Sequence, residues 1–485
     1  MNKDTSLFNN SLYNVLYKLL NVFFPLLSSA YVSHVLLATG VGRIASAQNI
    51  AQYFVLVAAL GLPNYGTREI AKVRDDSSLR NKTFSELFFI NLISTVLCSV
   101  AYYTLIFENT FFDTNRSLYL IVGLSIVFNA INIDWLYQGL EDYKYIAARS
   151  FVIKILSLIA LFVFVKNEND CEMYALIYVL AIAGNYIFNI INLKKKKIKF
   201  SFAEIRIKRH IKPVMILLCT TIAIELYTLL DTTMLTYLSA AENVAYYTNS
   251  IKIVRILITA VSAIGGVLLP RLSYYKSQQK IEECSNIVSK IFQIMLFIFL
   301  PCGFGLMITA KYLIPVFFGT SFGQAVFTLQ IASLLVYALG FSNLFGTQVL
   351  LTFDDERRLL LCTVVGALSN IFMNAILIPR YQQNGAVVAS VVSEMLVTCM
   401  SFIFAKKYIK ICINKTSVLK MIFSTVVMVI VTNFADLFCR SNNNWVHLMV
   451  MVVAGGVVYI ASNIVLKNQI MMSIVAIIRR EKESA

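Results

Sequence analysis

The stretch Trp445-Val-His-Leu-Met-Val-Met-Val-Val-Ala-Gly-Gly-Val-Val-Tyr-Ile-Ala-Ser-Asn-Ile-Val-Leu466 decides the fold class. It contains no Lys, Arg, Asp or Glu, and as a helix rising about 1.5 Å per residue it can cross a hydrocarbon layer about 30 Å thick. Thirteen similar runs precede it, at 11–38, 44–64, 84–106, 117–139, 150–165, 173–193, 213–238, 244–269, 285–308, 322–345, 359–378, 384–405 and 421–438. These runs are continuously apolar and roughly twice the length of a membrane strand. They lack the alternation a lumen-facing strand needs, so helices are expected rather than a barrel.

Composition agrees. With 58% hydrophobic and only 14% charged residues, 485 residues cannot hide their apolar surface in one soluble core. The expectation is an all-α polytopic membrane protein of about 14 transmembrane helices.

The basic residues orient it. With the N-terminus in the cytoplasm, 31 of the 42 Lys and Arg fall in cytoplasmic segments, 6 outside and 5 within helices. Both termini are then cytoplasmic, and the net charge of +16 faces anionic lipid headgroups rather than nucleic acid.

Several chemistries are disfavoured. The nine cysteines are dispersed without a C-x-x-C, and only Cys171 and Cys439 would face outside, so neither a disulfide framework nor a metal site is expected. His34, His210 and His447 lie far apart, and no G-x-x-x-x-G-K-[ST] occurs. Segments between runs are too short for a catalytic domain. The chain is therefore expected to be no enzyme and to need no cofactor, drawing at most on a proton or sodium gradient or on the membrane potential.

The basic stretch Lys194 to Lys212 follows the sixth run and reads as a solvated linker, with gating as the alternative. It divides 1–200 (helices one to six) from 201–410 (seven to twelve), leaving 411–485 for two trailing helices. A faint repeat links the halves. Val41-Gly-Arg-Ile-Ala-Ser-Ala-Gln-Asn-Ile opens helix two as Val244-Ala-Tyr-Tyr-Thr-Asn-Ser-Ile-Lys-Ile opens helix eight, and Pro63 with Arg68 answers to Pro270 with Arg271. Such a parallel repeat implies two lobes about an axis along the membrane normal.

Five segments resemble the polysaccharide transporter family, which includes the O-antigen flippases and belongs to the multidrug/oligosaccharidyl-lipid/polysaccharide exporter superfamily. They are Gly61-Leu-Pro-Asn-Tyr-Gly-Thr-Arg-Glu-Ile-Ala-Lys, Asp134-Trp-Leu-Tyr-Gln-Gly-Leu-Glu-Asp-Tyr-Lys-Tyr-Ile, Leu230-Asp-Thr-Thr-Met-Leu, Val267-Leu-Leu-Pro-Arg-Leu-Ser and Asn374-Ala-Ile-Leu-Ile-Pro-Arg-Tyr. The resemblance implies two six-helix lobes in a V with two trailing helices. It implies alternating access that moves an undecaprenyl-diphosphate-linked oligosaccharide across the inner membrane, with membrane lipids and other polysaccharide assembly proteins as further partners. One departure is that Ser29-Ala-Tyr-Val-Ser-His34 stands where the family tends to have Pro and then Arg, and Arg43 follows across the short loop.

Charge inside a membrane costs a few kcal/mol or more unless paired, so intramembrane ions are candidate sites. Lys252 and Arg255 share one face of helix eight, and the repeat aligns them with Asn49 and Gln52 of helix two. Those four, with Lys18 and Arg43, are the candidate substrate contacts. The alternative is two interhelical ion pairs, Lys252 with Asp231 and Arg255 with Glu225. Glu225, Asp231 and Glu394 are candidate coupling-ion ligands. Asp134 and Lys154 are expected to pair, and Lys290 to snorkel. Two further readings stay open: a cation-coupled multidrug antiporter of the same superfamily, and a membrane glycan polymerase or transferase.

Overall fold

The computed structural model describes residues 3–201, 206–439, 443–473 and 476, with backbone alone for 3–23, 220, 223–224, 226–227, 260–267 and 270. Among these residues there is no strand. The helices are α1 (Lys3–Ala59), α2 (Leu62–Lys72), α3 (Ser77–Glu108), α4 (Arg116–Phe128), α5 (Asp134–Gly139), α6 (Tyr143–Phe164), α7 (Cys171–Asn192), α8 (Lys208–Leu238), α9 (Ala241–Ser277) and α10 (Ile281–Phe318). They continue with α11 (Ala325–Ala332), α12 (Leu335–Ser342), a π-helical stretch (Asn343–Leu350), α13 (Glu356–Ala405), α14 (Lys415–Phe438) and α15 (Asn444–Val465).

Two of these hold a pair of apolar runs each. α1 breaks at Leu37, where φ is 56°, and α13 breaks at Gln382, where φ is 52°. A Cβ on Gly385 would overlap the carbonyl of Leu377. In a straight helix residues eight apart would be about 12 Å apart, so the chain reverses here within one residue. The loops expected at 39–43 and 379–383 are thus single-residue bends.

Ten helical stretches among the described residues are long and apolar enough to cross a membrane. Fourteen crossings are reached only by counting α1 and α13 twice and adding α8 and α9, the helices that carry Glu225, Asp231, Lys252 and Arg255.

The chain divides into two compact units, Met1–Ala245 and Tyr246–Ala485. The functional lobes expected at 1–200 and 201–410, with 411–485 trailing, remain a proposal.

In the first unit, the end bearing the basic loops is closed by an apolar cluster that includes Leu62, Phe84, Trp135 and Ile146, all at most 2% exposed. Two of the segments that carry the family resemblance meet there. A Cβ on Gly66 would stand 2.7 Å from the Trp135 ring, and one on Gly139 would stand 2.8 Å from Ile70. Gly61, left-handed at φ 71°, turns the chain from α1 into α2. Gly66 and Gly139 are packing requirements where α2 and α5 meet.

Beyond α4 the helix unwinds through a 3₁₀ turn, Asn129–Ile131. Buried irregular backbone needs side-chain partners in a membrane. Asn91 supplies them: its amide donates to the carbonyls of Asn129 at 2.6 Å and Ala130 at 3.3 Å. Asn129 in turn donates to Asn91 at 3.2 Å and Thr95 at 3.0 Å.

In the second unit, α14 and α15 pack on each other and on α10. Asp436, 7% exposed, accepts from Lys311 at 2.5 Å and lies 2.7 Å from His447, whose ring stacks on Tyr312. At the opposite end Asn468 and Ser417 bond each other at 3.1 Å.

Candidate functional site

The intramembrane polar groups of the first unit lie along the contact of α1 with α8. Asn49, 6% exposed, donates to the Thr233 hydroxyl at 2.7 Å, and Tyr53 shares that hydroxyl at 2.8 Å. One turn nearer the α1 bend, Thr236 donates to Ser46 at 3.0 Å. At the bend Thr39 donates to Glu242 at 2.6 Å. That hydroxyl, together with the charge of Arg43, holds the Glu242 carboxyl below its ordinary range. Arg43 is exposed and has an acidic neighbour that sequence reading did not assign to it. Gln52 is also exposed, three residues along from Asn49.

Asp231 is 5% exposed in α8, and Glu225, six residues nearer the basic end, is half-buried and accepts from Thr228 at 3.3 Å. The side chain of Lys18 lies outside the described residues.

In the second unit, Lys252 sits half-buried about 16 Å along α9 from its start. Its ammonium donates to Asn249 at 3.0 Å, and Asn249 is wholly buried. Arg255, one turn further, is exposed. The pairings of Lys252 with Asp231 and Arg255 with Glu225 each join residues of different units, and they stand as expectations. Glu394 in α13 is 8% exposed. One turn before it, Ser390 bonds Tyr247 at 3.2 Å. Asn370 and Asn374, on the other arm of the same bent helix, are wholly buried and bonded to each other at 3.1 Å.

One pairing is corrected. Asp134 is held by Arg149 at 2.9 Å and by the Asn189 amide at 2.6 Å. Lys154 instead sits over the Phe24 ring, 5.6 Å from its centroid. The five residues from Arg149 to Lys154 turn roughly 140° about the helix beyond a full turn, so the two cannot face one partner. Arg149 escaped notice because it lies one residue outside the fifth apolar run, which begins at 150, and so reads as a loop residue, whereas α6 begins at Tyr143. Lys290 is exposed.

The linker reading is also corrected in part. Lys194–Lys197 form an exposed turn, but Ile198 and His210 are buried, at 6% and 2% exposure. The arrangement as a whole offers cations and amides within spanning helices. Among the described residues no group of three or more His, Cys, Asp or Glu is placed to hold a metal.

The sequence profile of the family described as polysaccharide biosynthesis protein matches residues 7–276. An Escherichia coli (strain K12) protein named "Putative O-antigen transporter" is 22% identical over 418 residues, covering 83% of this chain and 97% of its own. A Shigella dysenteriae protein of the same name is 23% identical over 389 residues, covering 78% and 94%. Among solved structures, "Lipid II flippase MurJ, inward closed conformation" superposes with a TM-score of 0.76 at 14% identity, over 95% of this chain and 99% of that one. An inward-facing multidrug resistance transporter of the MATE family and MOP superfamily gives 0.60 at 13% identity, over 79% and 93%. These two likenesses establish a shared polytopic helical fold.

Proposed function

Since the chain belongs to the polysaccharide biosynthesis protein family, we propose that it is a flippase. Its substrate would be an undecaprenyl-diphosphate-linked oligosaccharide, an O-antigen or similar repeat unit, carried from the cytoplasmic to the periplasmic leaflet of the inner membrane by alternating access. The observation that carries this reading is a pair of cations on one helix, Lys252 half-buried deep in α9 and Arg255 one turn on, in a chain whose relatives over nearly their whole length are named O-antigen transporters. A diphosphate crossing a low-dielectric layer needs such partners, and sugars need the amide and hydroxyl groups that accompany them.

In this reading both termini are cytoplasmic and the chain is no enzyme. Transport draws on membrane potential or an ion gradient, with Glu225, Asp231 and Glu394 as ligands for the coupling ion. Other polysaccharide assembly proteins take up the product. The fold shared with a multidrug transporter keeps one rival, a cation-coupled drug antiporter.

The test is complementation of a flippase-null strain, read as long-chain surface polysaccharide and, in parallel, as drug susceptibility. The parent protein restores polysaccharide. Lys252→Gln and Arg255→Gln should each lower it about tenfold or more at normal abundance, since the amide keeps shape and loses charge. If the cations only neutralise acids, the double changes Lys252→Gln with Asp231→Asn and Arg255→Gln with Glu225→Gln recover full function, because what a lone buried charge costs, about 3–5 kcal/mol, is then removed. Full activity in both double variants overturns the cation assignment. Altered drug susceptibility with unchanged polysaccharide favours the rival.

A further inference from the structure

The linker after α7 does not hang free. The backbone N–H of Lys199 donates to Asn81 at 3.3 Å, and that of Ser201 donates to Ser85 at 2.8 Å. Asn81 and Ser85 are four apart on α3 and so share a face, while Lys199 and Ser201 are two apart and so point the same way along an extended chain. Ile198, just before, is buried in the apolar cluster of the first unit.

The second unit repeats this clip. Lys410 and Cys412, after α13, donate their N–H groups to Ser285 at 3.1 Å and Ser289 at 2.9 Å, four apart on α10. Ile409, 2% exposed, takes the place of Ile198. The sequences agree: Lys196-Lys-Ile-Lys-Phe-Ser201 and Lys407-Tyr-Ile-Lys-Ile-Cys412 set the same buried Ile before the two clipped positions.

The two clips differ in one respect. The residue after Ser85 is Glu86, whose side chain is wholly buried, whereas the residue after Ser289 is the exposed Lys290. Glu86 accepts from the backbone N–H of Arg206 at 2.8 Å and from the Arg209 guanidinium at 2.5 Å, and it lies 3.0 Å from His210 Nε2. His210 Nδ1 is 2.8 Å from the Tyr65 hydroxyl of α2. Three elements, α2, α3 and the start of α8, thus converge on one buried carboxylate. A charge-assisted network of this kind is strong when every partner is present and costly when one is lost.

The distinction tracks what each linker leads to. The first is the chain's connection between its repeated halves; the second leads only to α14 and α15. We infer that the Glu86–Arg209–His210–Tyr65 network is a permanent anchor, which holds linker residues 194–201 and 206–207 and the start of α8 on the first unit throughout the transport cycle. The transport cycle in this inference rests on the flippase reading; the anchor itself does not. Any movement of the chain toward the second half then begins beyond His210.

The anchor is tested in sealed vesicles and in the complemented strain, using the full chain cleared of native cysteines. Ser85→Cys with Ser201→Cys, joined by a short bismaleimide, should transport within about twofold of the same protein before joining; a second pair, Asn81→Cys with Lys199→Cys, repeats the measurement. A loss of tenfold or more on joining in either pair overturns the inference, since the linker would then have to undock. Independently, a lone Ser201→Cys should react with maleimide about tenfold or more faster when Glu86→Ala is added, and Arg209→Gln or His210→Gln should act in the same direction. Unchanged rates in all three refute the anchor. If the unjoined protein fails to restore polysaccharide, it is the flippase reading that fails, and the labelling rates still decide the anchor.

Discussion

Asp134 and Arg149 show how a single membrane-buried charge pair can be recognised by its neighbours rather than by its depth. The Arg149 side chain is 2% exposed, and its Nη1 also donates to Asn189, whose backbone carbonyl takes the Tyr137 hydroxyl at 2.6 Å. The sequence suggested Lys154 because it lies within an apolar run, but facing direction outweighs depth. Arg149→Met should lower abundance in the membrane sharply, as Asp134 keeps its charge and loses its cation, at a cost of about 3–5 kcal/mol. Adding Asp134→Asn should restore most of it, whereas Lys154→Met alone should leave abundance near the parent. Immunoblots of membrane fractions measure all three. Equal loss in Arg149→Met and in the double variant would show that the guanidinium is required for packing and not for charge.

Among the elements, the ends of helices at the basic face follow one local design. Glu141, Lys197, Gln279, Asp354 and Lys467 are all left-handed, with φ between 48° and 59°. In each case the next residue's N–H reaches back five positions, as Lys280 does to Tyr275 at 3.0 Å and Asp355 to Leu350 at 2.9 Å. None is glycine, so each carries the crowding of a Cβ against its own carbonyl, roughly 1–2 kcal/mol, of which glycine's extra unfolded-chain freedom would offset about half. Gln279→Gly should therefore raise stability by about 0.5–1 kcal/mol, read as a higher melting temperature in detergent. Glu141→Gly should gain less, because it also removes the exposed ion pair with Arg74 at 3.0 Å. No gain at Gln279 would mean that its side chain contributes as much as its strain costs. These turns were not legible beforehand, since a non-glycine C-cap leaves no sequence mark. Nor were the clipped linkers: both carry a Lys-x-Ile-Lys pattern, but four consecutive lysines read as a solvated face and hide the buried Ile198 that follows them.

At the scale of the whole molecule, apolar runs report where helices lie and say nothing of how sharply they are joined. The run ends near 38 and 378 implied loops, yet the chain turns on Leu37 and Gln382, because a single left-handed residue with a glycine shortly after suffices for a reversal. The candidate site was legible in residue type and largely illegible in contacts: Asn49 was chosen for its alignment with Lys252, and its partner Thr233 has no signature in a threonine-rich helix. Orientation is a property of the whole chain and rests on the 31 to 6 division of Lys and Arg across the two faces. If it holds, the clips, the left-handed caps and the Glu86 network all face the cytoplasm, and the Thr39–Glu242 contact faces outside. In the cysteine-cleared protein, a membrane-impermeant thiol reagent added to whole cells should label Glu168→Cys and Asn442→Cys and should miss Lys196→Cys until the membrane is permeabilised. Labelling of Lys196→Cys in intact cells, with the other two protected, would reverse the protein in the membrane. The anchored linker would then lie in the periplasm, and the basic face would meet the product side of transport instead of the substrate side.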